Sequence, residues 1–124
     1  MAELGLAQPQ LVEAFSLFPE CHYFLAGDFN CVLSPIDIEN QVGFNQKFCP
    51  ALKDLVSSFH LLDAFRVKFQ RKLEFTFTRP GKSSSRLDRF YLPRALHPDY
   101  NISHIASLSD HCATLLEIKV NCNF

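Results

Sequence analysis

Five side chains in this sequence have the types and settings that chemistry requires: Asp28, Asn30, Asp88, Asp110 and His111. Each lies in or beside an apolar run. A carboxylate held there needs a cation, a metal or several hydrogen-bond donors to stay charged. Asp88 falls between Leu87 and Phe90. A histidine is its natural partner, because an Asp–His pair fixes the imidazole tautomer and stabilises the protonated ring. Asp28 and Asp110 offer the hard oxygens that Mg²⁺ prefers. Asn30 can donate a hydrogen bond to a phosphate oxygen. An activated water, a metal and donors for the equatorial oxygens are the parts a phosphodiester hydrolase needs. Taken singly, an Asp at a strand end is most often a cap or turn residue; the pattern becomes specific only in combination.

The elements that must position these residues follow from periodicity. Residues 23–26 are a continuous apolar run, the mark of a strand buried on both faces, and it ends in Gly27, Asp28 and Asn30. The carboxyl end of such a strand is where α/β sheets place their chemistry. Before it, Leu11, Val12, Phe15 and Phe18 recur at helical spacing, with Pro9 suited to the first turn and Pro19 as the stop. Helix then buried strand predicts the second half of a crossover unit. A loop over residues 31–47 leads to a second amphipathic helix over 48–60, with Phe48, Leu52, Leu55, Val56 and Phe59 on one face. Residues 61–65 descend toward the sheet. The alternation of Phe75 and Phe77 with Glu74, Thr76 and Thr78, and the turn at Pro80–Gly81, predict a hairpin over 74–91 with a long basic tip. Residues 102–108 and 112–120 read as two further strands.

Composition bounds the class. A chain of 124 residues makes at most one ordinary domain, and 48% hydrophobic with 20% charged residues fits a soluble globular protein. No apolar run approaches the roughly 20 residues that span a membrane, and the start lacks the features of a signal peptide. The expected location is intracellular. Five cysteines without a C-x-x-C pair argue against a structural zinc site or a disulfide framework, and predict buried, reduced thiols. The net charge of −1 conceals a polarised chain. Residues 66–94 hold nine Lys or Arg against two acids, a net of +7, and the remainder holds three against eleven, a net of −8. Asymmetry this sharp predicts a polyanion partner at one surface. Arg79, Lys82, Arg86 and Arg89 are the candidate phosphate contacts, with Phe77 available for stacking or groove insertion.

In order and spacing, Gly27–Asp28–Phe29–Asn30, Ser85–Arg86–Leu87–Asp88 and Ser109–Asp110–His111 resemble the last three motifs of the endonuclease/exonuclease/phosphatase superfamily. The Glu74–Phe75–Thr76–Phe77–Thr78 stretch looks most like the apurinic-endonuclease-type domain of non-LTR retrotransposons. The resemblance covers residues 9 to 120. It implies a Mg²⁺-dependent DNA endonuclease, nuclear where it functions. Asp28 would orient the attacking water, Asn30 would contact the scissile phosphate and Asp88 would orient a catalytic His111. Asp110 would be a metal ligand. The family fold is a DNase-I-like two-sheet sandwich flanked by helices, in the mixed α/β (α+β) class. Family members also carry an N-terminal half with a strand ending in Asn and a Gln–Glu motif whose Glu is a chief Mg²⁺ ligand. Neither is identifiable here. Residues 1–124 therefore read as the C-terminal portion of such a domain. The expected consequences are an exposed apolar face that invites the missing half or self-association, and weak or absent Mg²⁺ binding. The alternative is a catalytically dead remnant, at best a basic nucleic-acid-binding module.

Overall fold

The computed structural model describes residues 7–95 and 99–119, and these form a mixed α+β chain with two small antiparallel sheets. Helix α1 (Ala7–Leu17) carries Pro9 in its first turn, where the missing N–H breaks no helical bond. Its Phe15 stacks on Tyr23, with centroids 4.1 Å apart, and meets Phe59 edge-on. The Tyr23 hydroxyl reaches back to the carbonyls of Phe15 and Phe18, fixing the reversal that aims the chain into β1 (Leu25–Asp28).

Strand β1 lies at the edge of a three-stranded sheet in the order β1, β3, β2, where β2 is Leu61–Asp63 and β3 is Asp88–Pro93. Both pairings are antiparallel, and Asp28 stands opposite Asp88 in register. The strand entering from α1 pairs antiparallel with β3. One expectation is corrected here: it is not buried on both faces, since Ala26, Gly27 and Asp28 are exposed and Phe24 is 48% exposed. An edge strand has a neighbour on one side alone, and nothing among the described residues covers its outer face.

The loop after β1 contains two 3-10 turns, Pro35–Asp37 and Gln41–Gly43, and the short helix α2 (Phe44–Lys47). Helix α3 (Pro50–Ser58) begins on Pro50 and buries Leu52 and Leu55 against Phe15, Phe29, Leu61 and Tyr91. Helix α4 (Ala64–Lys68), absent from the sequence reading, starts at Asp63, whose carboxylate accepts the N–H groups of Phe65 and Arg66 as an N-cap. Phe65 packs with Leu92, Tyr100 and Ile102, joining α4 to both sheets.

The second sheet pairs β4 (Tyr100–Ile105) with β5 (Ala113–Ile118), opposing Tyr100 to Ile118 and Ile105 to Ala113. Leu116 faces the core, but Leu115 and Ile118 are left partly open to solvent. Val120 lies outside the described residues. The expected strand over 74–78 is not a ladder strand. Phe77 forms isolated bridges to Ser85 on one side and to His111 on the other. The segment thus acts as a short crosspiece between residues 84–86 and 110–112. Among the described residues the cysteines are free: Cys31 and Cys49 are buried, whereas Cys21 is exposed, contrary to its expected burial. Cys122 lies outside the described residues. No described helix is long and apolar enough to cross a membrane.

Candidate functional site

The first side chain of the site comes from the turn that ends β1. Gly27 has φ of +150°, a region side-chain-bearing residues rarely adopt. Phe29 is buried, edge-on to Tyr91, and its N–H donates to the Leu87 carbonyl at 3.0 Å. One apolar anchor between two polar residues leaves Asp28 and Asn30 facing outward. Asn30 sits in the left-handed region at φ 51°, which asparagine tolerates, and its N–H donates to Asp28 Oδ1 at 2.9 Å.

His111 arrives on a bend held by serines. Its N–H donates to Ser109 Oγ at 3.0 Å, while its carbonyl accepts from Ser107 and Ser109 hydroxyls. This bend brings His111 Nδ1 to 2.7 Å from Asp88 Oδ2. The other ring nitrogen, Nε2, lies 3.8 Å from Asp28 Oδ2, beyond direct hydrogen-bond range. The Phe77 ring packs beside the imidazole with centroids 5.1 Å apart. The hydrogen bond to Asp88 raises the His111 pKa above its ordinary value; burial opposes the rise, and the charges of Asp88, Asp28 and Asp110 reinforce it.

That shift has a sign for stability. A histidine whose folded pKa exceeds its unfolded value stabilises the fold fully below about pH 6.5 and loses that contribution as pH rises through the folded pKa. His104 works in reverse. Burial lowers its pKa despite the Glu74 carboxylate 2.8 Å from Nδ1, and its Nε2 is buried without a partner. Its contribution is lost as pH falls below about 6.5. Chemical denaturation across pH should therefore show unfolding free energy declining above that point, and His111→Gln should flatten this alkaline arm while leaving the acid arm in place.

Asp110, expected on a metal, is instead paired with Arg79, whose Nε and Nη2 donate to Oδ2 at 3.0 and 2.9 Å. On this bend the His111 ring turns toward Asp88 and the Asp110 carboxylate toward Arg79 of the basic hairpin. Lys82 is exposed at the tip. Phe77 is not free at the surface: it packs against Val32, Ile38 and Leu87.

The phosphate-contact reading of Arg86 and Arg89 is corrected outright. Arg86 is 0% exposed and Arg89 is 2% exposed. Arg86 donates to Asp37 at 2.8 and 3.0 Å and to Asp63 through Nη1 at 3.0 Å, with a second, shorter bond through Nη2. Arg66 Nη2 joins Asp37 at 2.5 Å. Burial works against ionisation of Asp37, but the Arg86 and Arg66 guanidiniums hold its carboxyl below the usual range. Arg89 donates to the carbonyls of Cys31 and Arg86 and to the Tyr91 hydroxyl. These guanidiniums serve the interior. The sequence reading passed over Asp37 and Asp63, although Asp37 stands between Ile36 and Ile38, the kind of apolar setting that selected Asp88.

Asp28, Asp88 and His111 form a group that could hold a metal ion, with one ligand atom from each all within 4.8 Å of one another. Asp28 and Asp88, but not His111, line a groove of about 460 Å³ together with Ala26 and Gly27 of β1, Phe90 of β3 and Ala113 and Thr114 of β5. In comparisons with known proteins, no family model matches this chain and no curated protein matches it.

Proposed function

We propose that this chain carries the histidine-bearing portion of a Mg²⁺-dependent phosphodiester hydrolase site of the DNase-I-like, endonuclease/exonuclease/phosphatase type, acting on DNA as in the apurinic-endonuclease-like domains of non-LTR retrotransposons. A nuclear location follows from that substrate. The observation that carries the reading is the chain of groups Asp88–His111–Asp28, with separations of 2.7 and 3.8 Å. Asp88 accepts the Nδ1 proton and so leaves Nε2 as the working nitrogen. Nε2 and Asp28 are close enough to share one water, which Asp28 would orient toward a phosphorus atom in the groove. The raised pKa of His111 keeps the ring cationic to higher pH, suited to donating a proton or a charge-assisted bond to a phosphoryl oxygen. Asn30, exposed on its left-handed turn beside Asp28, would donate to the same phosphate.

The donor set fits Mg²⁺ only in part. Mg²⁺ takes oxygens in near-octahedral geometry, and the cluster provides carboxylate oxygens from Asp28 and Asp88 plus an imidazole nitrogen. Asp110 would add an oxygen only by leaving Arg79. When bound, the ion would polarise the phosphoryl oxygen and lower the pKa of its water. Binding by these residues alone is therefore expected to be weak, and a further carboxylate from another segment would complete the site.

The substrate class is tested by a salt titration of duplex DNA binding. Lys and Arg contacts to phosphate release counterions, so affinity should fall steeply with salt. Exposed Arg79 and Lys82, with Lys68, Arg71, Lys72 and Arg94, remain to make those contacts. Replacing Arg79 and Lys82 by alanine should weaken binding and reduce the salt slope by about 2. Affinity that does not change with salt would remove DNA as the substrate. Binding with that slope but no cleavage under any complementation would favour the binding-module alternative.

A further inference from the structure

Thr76 is 1% exposed, and each of its backbone and hydroxyl hydrogen bonds runs to a segment that carries the site. Its hydroxyl oxygen accepts the N–H of Leu87 at 2.9 Å and of Asp88 at 3.1 Å. Its own N–H donates to the Ser85 carbonyl at 3.0 Å, and its carbonyl accepts the N–H of Cys112, the residue after His111, at 2.7 Å. Successive N–H groups of a regular strand alternate sides. Two of them converging on one oxygen mark a kink at the first residue of β3, which is Asp88 itself. A hydroxyl, with two acceptor lone pairs on a short side chain, serves both.

We propose that Thr76 is the positioning residue of the Asp88–His111 pair, clamping the 85–88 segment to the 111–112 segment so that carboxylate and imidazole meet. On one side the hydroxyl fixes where Asp88 leaves the backbone. On the other the carbonyl fixes where the His111 segment runs. The intervening Phe77 bridges Ser85 and His111 and packs on the imidazole, so the crosspiece sets both the separation and the tilt of the pair. This role belongs to the site read above as hydrolytic. Its readout is the Asp88–His111 hydrogen bond and not cleavage, so failure of either reading is seen separately.

The test is NMR of the isotopically labelled 124-residue chain. The His111 Nδ1 proton, held by Asp88, should give a downfield, slowly exchanging resonance, identified by its loss in Asp88→Asn. Thr76→Val keeps the branched shape but removes the acceptor. It should abolish that resonance and speed exchange of the Leu87 and Asp88 amides by about tenfold or more, while the amide signals of α3 and β4 stay in place. Thr76→Ser keeps the hydroxyl and should retain the resonance. A folded Thr76→Val chain with the His111 proton still held would overturn the assignment. Where Thr76→Val does not fold, the unaltered chain decides: the Leu87, Asp88 and Cys112 amides should open together at one rate. Independent opening of Cys112 would contradict a clamp.

Discussion

Replacing Arg86 by methionine is expected to destabilise the fold by about 3–5 kcal/mol, because it takes the shared guanidinium from the buried Asp37 and the partly buried Asp63. Arg86 binds Asp37 and Asp63 in two-pronged fashion, and the Asp37 side chain is 3% exposed. After the substitution Arg66 would be the cation left for Asp37, and Asp63 would be left with its capping bonds to α4. Small domains have total stabilities of about 5–15 kcal/mol, so a loss of this size removes much or all of the folded population. Arg86→Lys keeps the charge but not the planar fork, and should fall between. Adding Asp37→Leu to Arg86→Met removes one stranded charge and should recover part of the loss. Urea unfolding followed by circular dichroism measures all three. An Arg86→Met chain with an unchanged midpoint would show that the network is not what holds residues 37, 63 and 86 together.

The same network shows how far sequence reasoning reaches. The amphipathic spacing of Leu52 and Leu55 and the N-terminal Pro50 specify α3 because a helix reports its buried face locally. The alternation of Leu116 and Ile118 with Glu117 likewise marks β5 as a strand, although Ile118 is left partly open to solvent. Asp88 could be singled out because a carboxylate between Leu87 and Phe90 needs a partner, and the structure supplies His111 from 23 residues away. For Arg86 and Arg89 the charge count points to a surface, since a basic run looks the same whether or not its guanidiniums turn inward. What turns Arg86 inward are carboxylates 49 and 23 residues away, which no local pattern reveals. The partner of Asp110 was equally hidden: its type suits a metal, and the structure pairs it with Arg79 from 31 residues away. The 74–78 segment alternates like a strand, yet Thr76 and Phe77 divide their bonds between two partners and form no ladder with either.

The second large effect concerns His111. In a site completed by a further metal-binding carboxylate, His111→Ala should lower phosphodiester cleavage by about 10²–10⁴-fold, the usual contribution of a positioned acid–base group. Asp88→Asn should act in the same direction, since it removes the carboxylate charge and offers an amide N–H that can donate to Nδ1 and favour the wrong tautomer. By contrast, Arg79→Ala should weaken DNA binding more than it slows the chemical step, because the Arg79 guanidinium is engaged with Asp110 at the exposed hairpin.

The most direct measurement is nicking of supercoiled DNA in Mg²⁺ by this chain, alone and combined with a separately produced N-terminal half of a retrotransposon-type endonuclease. Alone, with Asp28 and Asp88 as the carboxylates that converge beside His111 among the described residues, it should give no measurable nicking. The combination should nick, and His111→Ala should abolish that activity while Arg79→Ala leaves the saturated rate largely intact. Failure of the combination to nick although the two pieces associate, or nicking that survives His111→Ala, would contradict a hydrolytic role for the Asp88–His111–Asp28 site.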